Sequence, residues 1–90
     1  ADIVNESIND EISRYTVYQA QAAAYARAGF LDTAEDYLLL INEQTALASG
    51  LQDVAVALDN INEIEQGAQY RSRALAAYNQ YLAEKGFENI

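Results

Sequence analysis

Residues 27–36, with the sequence RAGFLDTAED, mark the point where one helix ends and another begins. Arg27 places a cation in the last turn of a helix, and Gly29 can adopt the left-handed conformation that often ends one. Asp32 followed three residues later by Glu35 is typical of a capping box, in which two side chains bind the free N–H groups at a helix start. This stretch therefore predicts two helices joined by a short turn.

The segments outward from this turn also have a helical pattern. The chain has no proline, and its composition favours helix formers. Apolar residues recur at spacings of three and four, which is the pattern of a helix with one buried face. We predict a first helix over about Asn5–Ala28 and a second helix that begins near Thr33 and reaches Ser49.

The remaining glycines leave two readings of the second half. Gly50 either separates the second helix from a third that starts at Leu51, or it lies inside a longer helix. Gly67 is likewise a break or an interior residue. Lys85 and Gly86 predict the last helix end, since a cation in the last turn and a glycine after it are typical of one.

These segments together predict the fold class. We expect an all-α protein, an antiparallel three- or four-helix bundle built from helical hairpins, with residues 1–90 as a single helical domain. Ninety residues form only a thin core, so such a chain gains from external support. Cysteine and histidine are both absent, which leaves oligomerisation or docking as the remaining source of that support.

One part of the chain resembles a known family. Within residues 25–41, the positions Gly29, Asp32, Ala34 and Tyr37 resemble the helix–turn–helix junction of a tetratricopeptide repeat. The resemblance implies an antiparallel helical hairpin and covers less than half of the chain. It assigns no functional residue, and the second half shows no clear copy at a period of 34 residues.

The side-chain chemistry argues against catalysis. Without histidine or cysteine, the common nucleophilic triads and the usual ligands of zinc, copper and haem are impossible. Two carboxylate groups could do acid–base work, but each has polar neighbours that favour an ordinary surface role. We therefore expect no enzymatic activity, no metal and no cofactor. The two carboxylate groups are Asp32, Glu35 and Asp36, and Asp59, Glu63 and Glu65.

The net charge of −9 limits the class of partner. It argues against direct binding of nucleic acid and against anionic membrane surfaces, both of which need basic patches. No stretch has the roughly 20 apolar residues of a membrane span, and residues 1–5 do not have the pattern of a signal peptide. We expect a protein partner and a location in a virion or in the cytoplasm.

Aromatic and apolar side chains supply the candidate protein interface. Tyrosine combines a large apolar ring with a hydroxyl group and is common at interfaces. One tyrosine group lies on the first predicted helix and one on the last, so they form a seam if these helices pack together and two free stripes if they do not. Leucines widen the apolar face of the second helix, and two apolar residues in the C-terminal tail are expected to dock. The candidate residues are Tyr15, Tyr18, Tyr25, Leu39, Leu40, Leu47, Tyr70, Tyr78, Tyr81, Phe87 and Ile90.

Two functional hypotheses follow from these features. The first is a non-enzymatic structural subunit of a homo-oligomer or hetero-assembly, with a virus or phage particle as the best-fitting setting. The second is a free acidic regulator or inhibitor, of the kind that mimics nucleic acid, which binds a basic protein. The two hypotheses differ in salt dependence, since salt weakens a charge-driven complex much more than an apolar contact.

Overall fold

The computed structural model describes the backbone of residues 2–86 and the side chains of residues 13–86. Four helices follow one another along the chain, and no strand occurs in the described part. This confirms the all-α prediction, and the packing of the helices is consistent with a bundle. The helices are α1 (Asp2–Arg27), α2 (Leu31–Leu39), α3 (Gln44–Asn60) and α4 (Ile64–Glu84).

Left-handed residues follow three of the helices. Gly29 after α1 and Gly86 after α4 have φ angles of 93° and 89°, as the sequence predicts for these two helix ends. Asn62 after α3 has a φ angle of 70°. Asparagine tolerates this conformation better than most residues do. The break between the third and fourth helices therefore lies at residues 61–63, before Gly67.

The predicted capping box of α2 is wrong. The helix begins at Leu31 with Phe30 as its N-cap, and no side chain binds the N–H groups of its first turn. Glu35, the second member of the expected box, instead binds Arg73 and Tyr70 of α4. The tertiary ion pair has taken the carboxylate away from the helix start.

The predicted second helix is also wrong in length, because it divides in two. α2 ends at Leu39 and α3 begins at Gln44. The side chain of Glu43 caps α3, and its carboxylate accepts hydrogen bonds from the backbone N–H groups of Thr45 and Ala46 at 3.1 and 2.7 Å. Glutamate is not among the favoured N-cap residues, so the sequence pattern did not predict this start.

Gly50 and Gly67 both lie inside helices, where they allow close packing. A Cβ atom at Gly50 would lie 2.9 Å from Cδ2 of Leu38. A Cβ atom at Gly67 would lie 3.2 Å from the carbonyl oxygen of Ala55 and against the carboxylate of Asp59. The two glycines therefore let α3 approach the end of α2 on one side and α4 on the other.

Helix α3 is the centre of the structure. It packs against α1 and α4, α2 packs mainly against α1, and α1 and α4 do not contact each other within the described range. Half of the buried apolar residues are alanines, and the largest fully buried side chains are Leu38, Val54 and Leu58. The core is therefore thin. Its other members are Ala22, Ala26, Ala34, Ile41, Leu51, Ala55, Ala57, Tyr70 and Ala74.

The packing at Gly67 gives a testable prediction. Alanine at an exposed helix position stabilises by about 1 kcal/mol relative to glycine. We expect Gly67→Ala to destabilise by about 1–3 kcal/mol instead, because the added methyl group overpacks the contact with Ala55 and Asp59. The measurement is urea unfolding followed by circular dichroism.

The control for Gly67→Ala is Ala76→Gly at an exposed position of the same helix. This substitution reports helix propensity alone and should destabilise by about 1 kcal/mol. A Gly67→Ala variant more stable than the wild type would contradict the close approach of α3 and α4.

Candidate protein-interaction site

The tyrosines of α1 pack against α2. Tyr18, Tyr25 and Tyr15 are all half-buried against the core. The ring of Tyr37 in α2 lies 6.2 Å from the ring of Tyr18 and stacks on Tyr25 at 5.7 Å. Phe30, in the turn, meets Tyr25 edge-on at 6.5 Å. An aromatic cluster thus joins the first two helices, and Tyr37 is a member that the predicted interface did not include.

The tyrosines of α4 have different surroundings. Tyr70 is buried, with 5% of its surface exposed, and belongs to the core. Tyr78 is exposed and stacks on the half-buried Tyr81 at 6.3 Å, and the Lys85 ammonium group lies 5.7 Å from the Tyr81 ring. Since α1 and α4 do not contact each other in the described range, the two tyrosine groups form separate stripes.

The predicted leucines differ in exposure. Leu39 and Leu40, at the end of α2, are exposed, and Leu39 has 75% of its surface in solvent. Leu47 is half-buried and packs against the core. Phe87 and Ile90 lie outside the described residues.

A polar bridge links α2 to α4. The Tyr70 hydroxyl group donates to the Glu35 carboxylate, and Arg73 donates to both carboxylate oxygens. The Arg73 guanidinium group also lies over the Tyr70 ring, 4.7 Å from its centre. Arg73 is the main cause that lowers the pKa of Glu35, and burial is the main cause that raises the pKa of Tyr70 to about 12.

The carboxylates that sequence patterns offered for acid–base work have structural partners. A general acid needs a raised pKa, whereas the pKa of Glu35 is lowered by Arg73. Asp59 pairs with Arg71 at the contact between α3 and α4. Within the described part of the chain, no three potential metal-ligating side chains come together.

A shallow groove runs between α3 and α4, with a volume of about 430 Å³. Asp53 lies in its wall, and it forms no ion pair or hydrogen bond with any other described residue. Partial burial raises the pKa of the Asp53 carboxyl group. Leu75 and Tyr78 give the groove an exposed apolar side. The groove is lined by Thr45, Ala48, Ser49, Gln52, Asp53, Arg71, Ala74, Leu75 and Tyr78.

The turns after α1 and α3 are built in the same way. Phe30 N–H donates to the carbonyl oxygen of Tyr25 at 2.8 Å, and Gly29 N–H donates to that of Ala26 at 3.1 Å. These two bonds form the helix-ending pattern in which one left-handed residue closes the last turn.

The same two bonds recur 33 residues later. Glu63 N–H donates to Leu58 at 2.8 Å, and Asn62 N–H donates to Asp59 at 3.0 Å. The chain thus contains the same helix–turn–helix unit twice. This repeat is not visible from the turn sequences, because Gly29 and Phe30 correspond to Asn62 and Glu63.

Comparison with family models, with curated proteins and with solved structures finds no match to this chain. No helix in the described range is both long enough and apolar enough to cross a membrane. The functional argument therefore depends on the geometry of the exposed surfaces.

The polar bridge gives a prediction about pH. The folded pKa of Glu35 lies below its ordinary value of 4.5, so the bridge stabilises fully above that pH and is lost as pH falls through the lower folded pKa. Both Glu35 and Arg73 are partly exposed, so we expect Glu35→Gln to destabilise by about 1 kcal/mol at neutral pH. The difference from wild type should shrink in acid.

The measurement is urea unfolding of both proteins across the acidic range. Asp36→Asn, an exposed neighbour in the same helix, serves as the charge-matched control. A Glu35→Gln effect that grows as the pH falls, or one no larger than that of Asp36→Asn, would contradict the bridge.

Proposed function

We propose that the chain is a non-enzymatic structural subunit that assembles, with copies of itself or with other proteins, into a larger particle. A virion is the setting that fits best. The support comes from the distribution of apolar side chains and from the structural roles that the titratable groups already have.

The observation that carries this proposal is the excess of large apolar side chains outside the core. The exposed ones outnumber the large ones that are buried, and they occur on all four helices and in the turn before α2. A single exposed apolar residue is ordinary, but a chain that leaves most of them outside gains stability when another surface covers them. The exposed set is Val17, Phe30, Leu39, Leu40, Val56, Ile64, Leu75 and Tyr78.

We further propose that the fold consists of two antiparallel helical hairpins. Contacts at both ends of α3 and α4 support the second hairpin, since Gln44 reaches Glu84 and Asp59 pairs with Arg71. The stacking of Tyr37 on Tyr25 supports the first.

The two hairpins are stacked in the same direction. Gln19 in α1 donates to the carbonyl oxygen of Ala46 near the start of α3. Ala26, near the end of α1, lines the same pocket as Leu58, near the end of α3. A stack of repeated hairpins has open ends, which suits a subunit of an assembly.

The acidic regulator is the second candidate, and the distribution of charge favours it. All fourteen acidic residues lie outside residues 13–27, which contain two of the five basic residues. The rest of the chain therefore has a net charge of 3 − 14 = −11. Such a surface suits a basic protein, with an affinity that falls steeply as salt rises.

Solution mass separates the two proposals. We expect light scattering to show a mass above 9.9 kDa, the mass of one copy, that rises with protein concentration. The oligomer should persist in high salt, because apolar contacts are not screened. Circular dichroism on the same samples reports whether the helices are intact.

A folded monomer at every concentration, in low and high salt, would overturn self-assembly. An oligomer that dissociates as salt rises would also count against an apolar interface. The matched test of the regulator is binding to a basic polypeptide such as polylysine, which should be lost in high salt.

A further inference from the structure

Helix α3 lies in a seat formed by the first hairpin. A Cβ atom built at Gly50 would lie 2.9 Å from Leu38, 3.3 Å from Ile41 and 3.4 Å from Gln19. Gln19 also donates a 2.8 Å hydrogen bond from Nε2 to the carbonyl oxygen of Ala46. Three side chains of the first hairpin therefore hold the face of α3 that contains Ala46 and Gly50.

The second hairpin has the same seat, and it is open. The residues 33 positions after Gln19, Leu38 and Ile41 are Gln52, Arg71 and Ala74. All three line the groove between α3 and α4. No helix of the described chain fills this groove, which is the position where the next helix of the stack would lie.

Helix α1 has an outer face in the corresponding register. The residues 33 positions before Ala46, Gly50 and Ala57 are Ser13, Val17 and Ala24. In α3 these positions face the packed interior, whereas in α1 all three are exposed, with Val17 at 51%. We call Ser13, Val17 and Ala24 the α1 ridge.

The sizes of the ridge and groove residues are complementary. Val17 stands where α3 has Gly50, so the ridge has a larger side chain than the helix in the occupied seat. The groove has Ala74 where the occupied seat has Ile41, so it has more room at that point. Close packing requires the sum of the facing volumes to be conserved, and these two changes have opposite signs.

Charge is complementary as well. Residues 13–27 of α1 contain Arg14 and Arg27 and no carboxylate. The groove contains Asp53, which has no ion-pair partner among the described residues. A basic helix approaching this wall gains attraction that an acidic helix would not.

We propose that a second copy of this chain docks the α1 ridge into the groove between α3 and α4, so that the copies stack head to tail. This inference rests on the proposed function and identifies its partner and its surface. The contact repeats the packing that α3 already makes inside the chain. Because ridge and groove are different surfaces, each copy keeps one of each free, and the stack grows with concentration unless it closes into a ring.

The test uses two variants of the full chain, each blocked on one surface. Val17→Glu places a carboxylate on the ridge, and Leu75→Glu places one in the groove. Both residues are more than half exposed, so neither change should unfold the monomer. We expect each variant alone to have the mass of one copy, 9.9 kDa, by light scattering.

An equimolar mixture of the two variants is the decisive sample. The intact ridge of the Leu75→Glu chain can dock in the intact groove of the Val17→Glu chain, and the two remaining surfaces are blocked. The mixture should therefore give dimers of twice the single-copy mass and nothing larger. An interface that pairs identical surfaces would not recover in this way.

The control is Leu39→Glu, which adds the same charge at a more exposed apolar residue outside both surfaces. It should assemble as the wild type does. The inference is overturned if Val17→Glu and Leu75→Glu still assemble, or if their mixture stays monomeric while the wild type assembles. A monomeric wild type would instead overturn the proposed function itself, so the two failures are distinguishable.

Discussion

Helix α3 packs on both sides through alanine and glycine, and the rest of the structure depends on this close approach. Ala55 is fully buried, Gly67 of α4 lies against its carbonyl oxygen, and Gly50 leaves room for Leu38 on the other side. Small residues bring helix axes together but bury little apolar surface for each contact. The thin core is thus a consequence of close packing, and so is the excess of large apolar residues at the surface.

A polar bridge supplements this core where α2 meets α4. α2 has only nine residues and packs mainly against α1. Its connection to α4 depends on Glu35, whose carboxylate binds both Tyr70 and Arg73. A charged group with two donors on another helix fixes the position of a short helix more specifically than apolar contact does. The same bridge removed Glu35 from the cap that the sequence predicted.

The sequence predicted the helical class and the two helix ends marked by glycine, because these depend on local conformational preference. Gly29 and Gly86 have positive φ angles for which glycine is best suited. The other boundaries depend on residues with weaker preferences. Asn62 ends α3 and Glu43 starts α4's partner helix, α3, although neither residue marks a boundary strongly.

The interior glycines and the tyrosines show the same limit for tertiary structure. Gly50 and Gly67 are needed for contacts between helices, and a single sequence does not distinguish such a glycine from one that breaks a helix. Tyr70 is a core residue because Glu35 accepts its hydroxyl group, and that partner is 35 residues away. The repeat was hidden for a similar reason: backbone hydrogen bonds recur at 33 residues, while few of the side chains that make the turns are alike.

Charge favours one mode of self-association over the others. Every copy has a net charge of −9, so two copies repel each other at long range, and salt screens that repulsion over about 8–10 Å. A symmetric contact between two α1 helices would place Arg14 of one copy near Arg14 of the other. A symmetric contact between two grooves would bring two Asp53 carboxylates together. Ridge against groove is the pairing that joins opposite charges, and it also reuses the packing that α3 makes within the chain. Electrostatics and the internal repeat therefore independently favour the same head-to-tail contact.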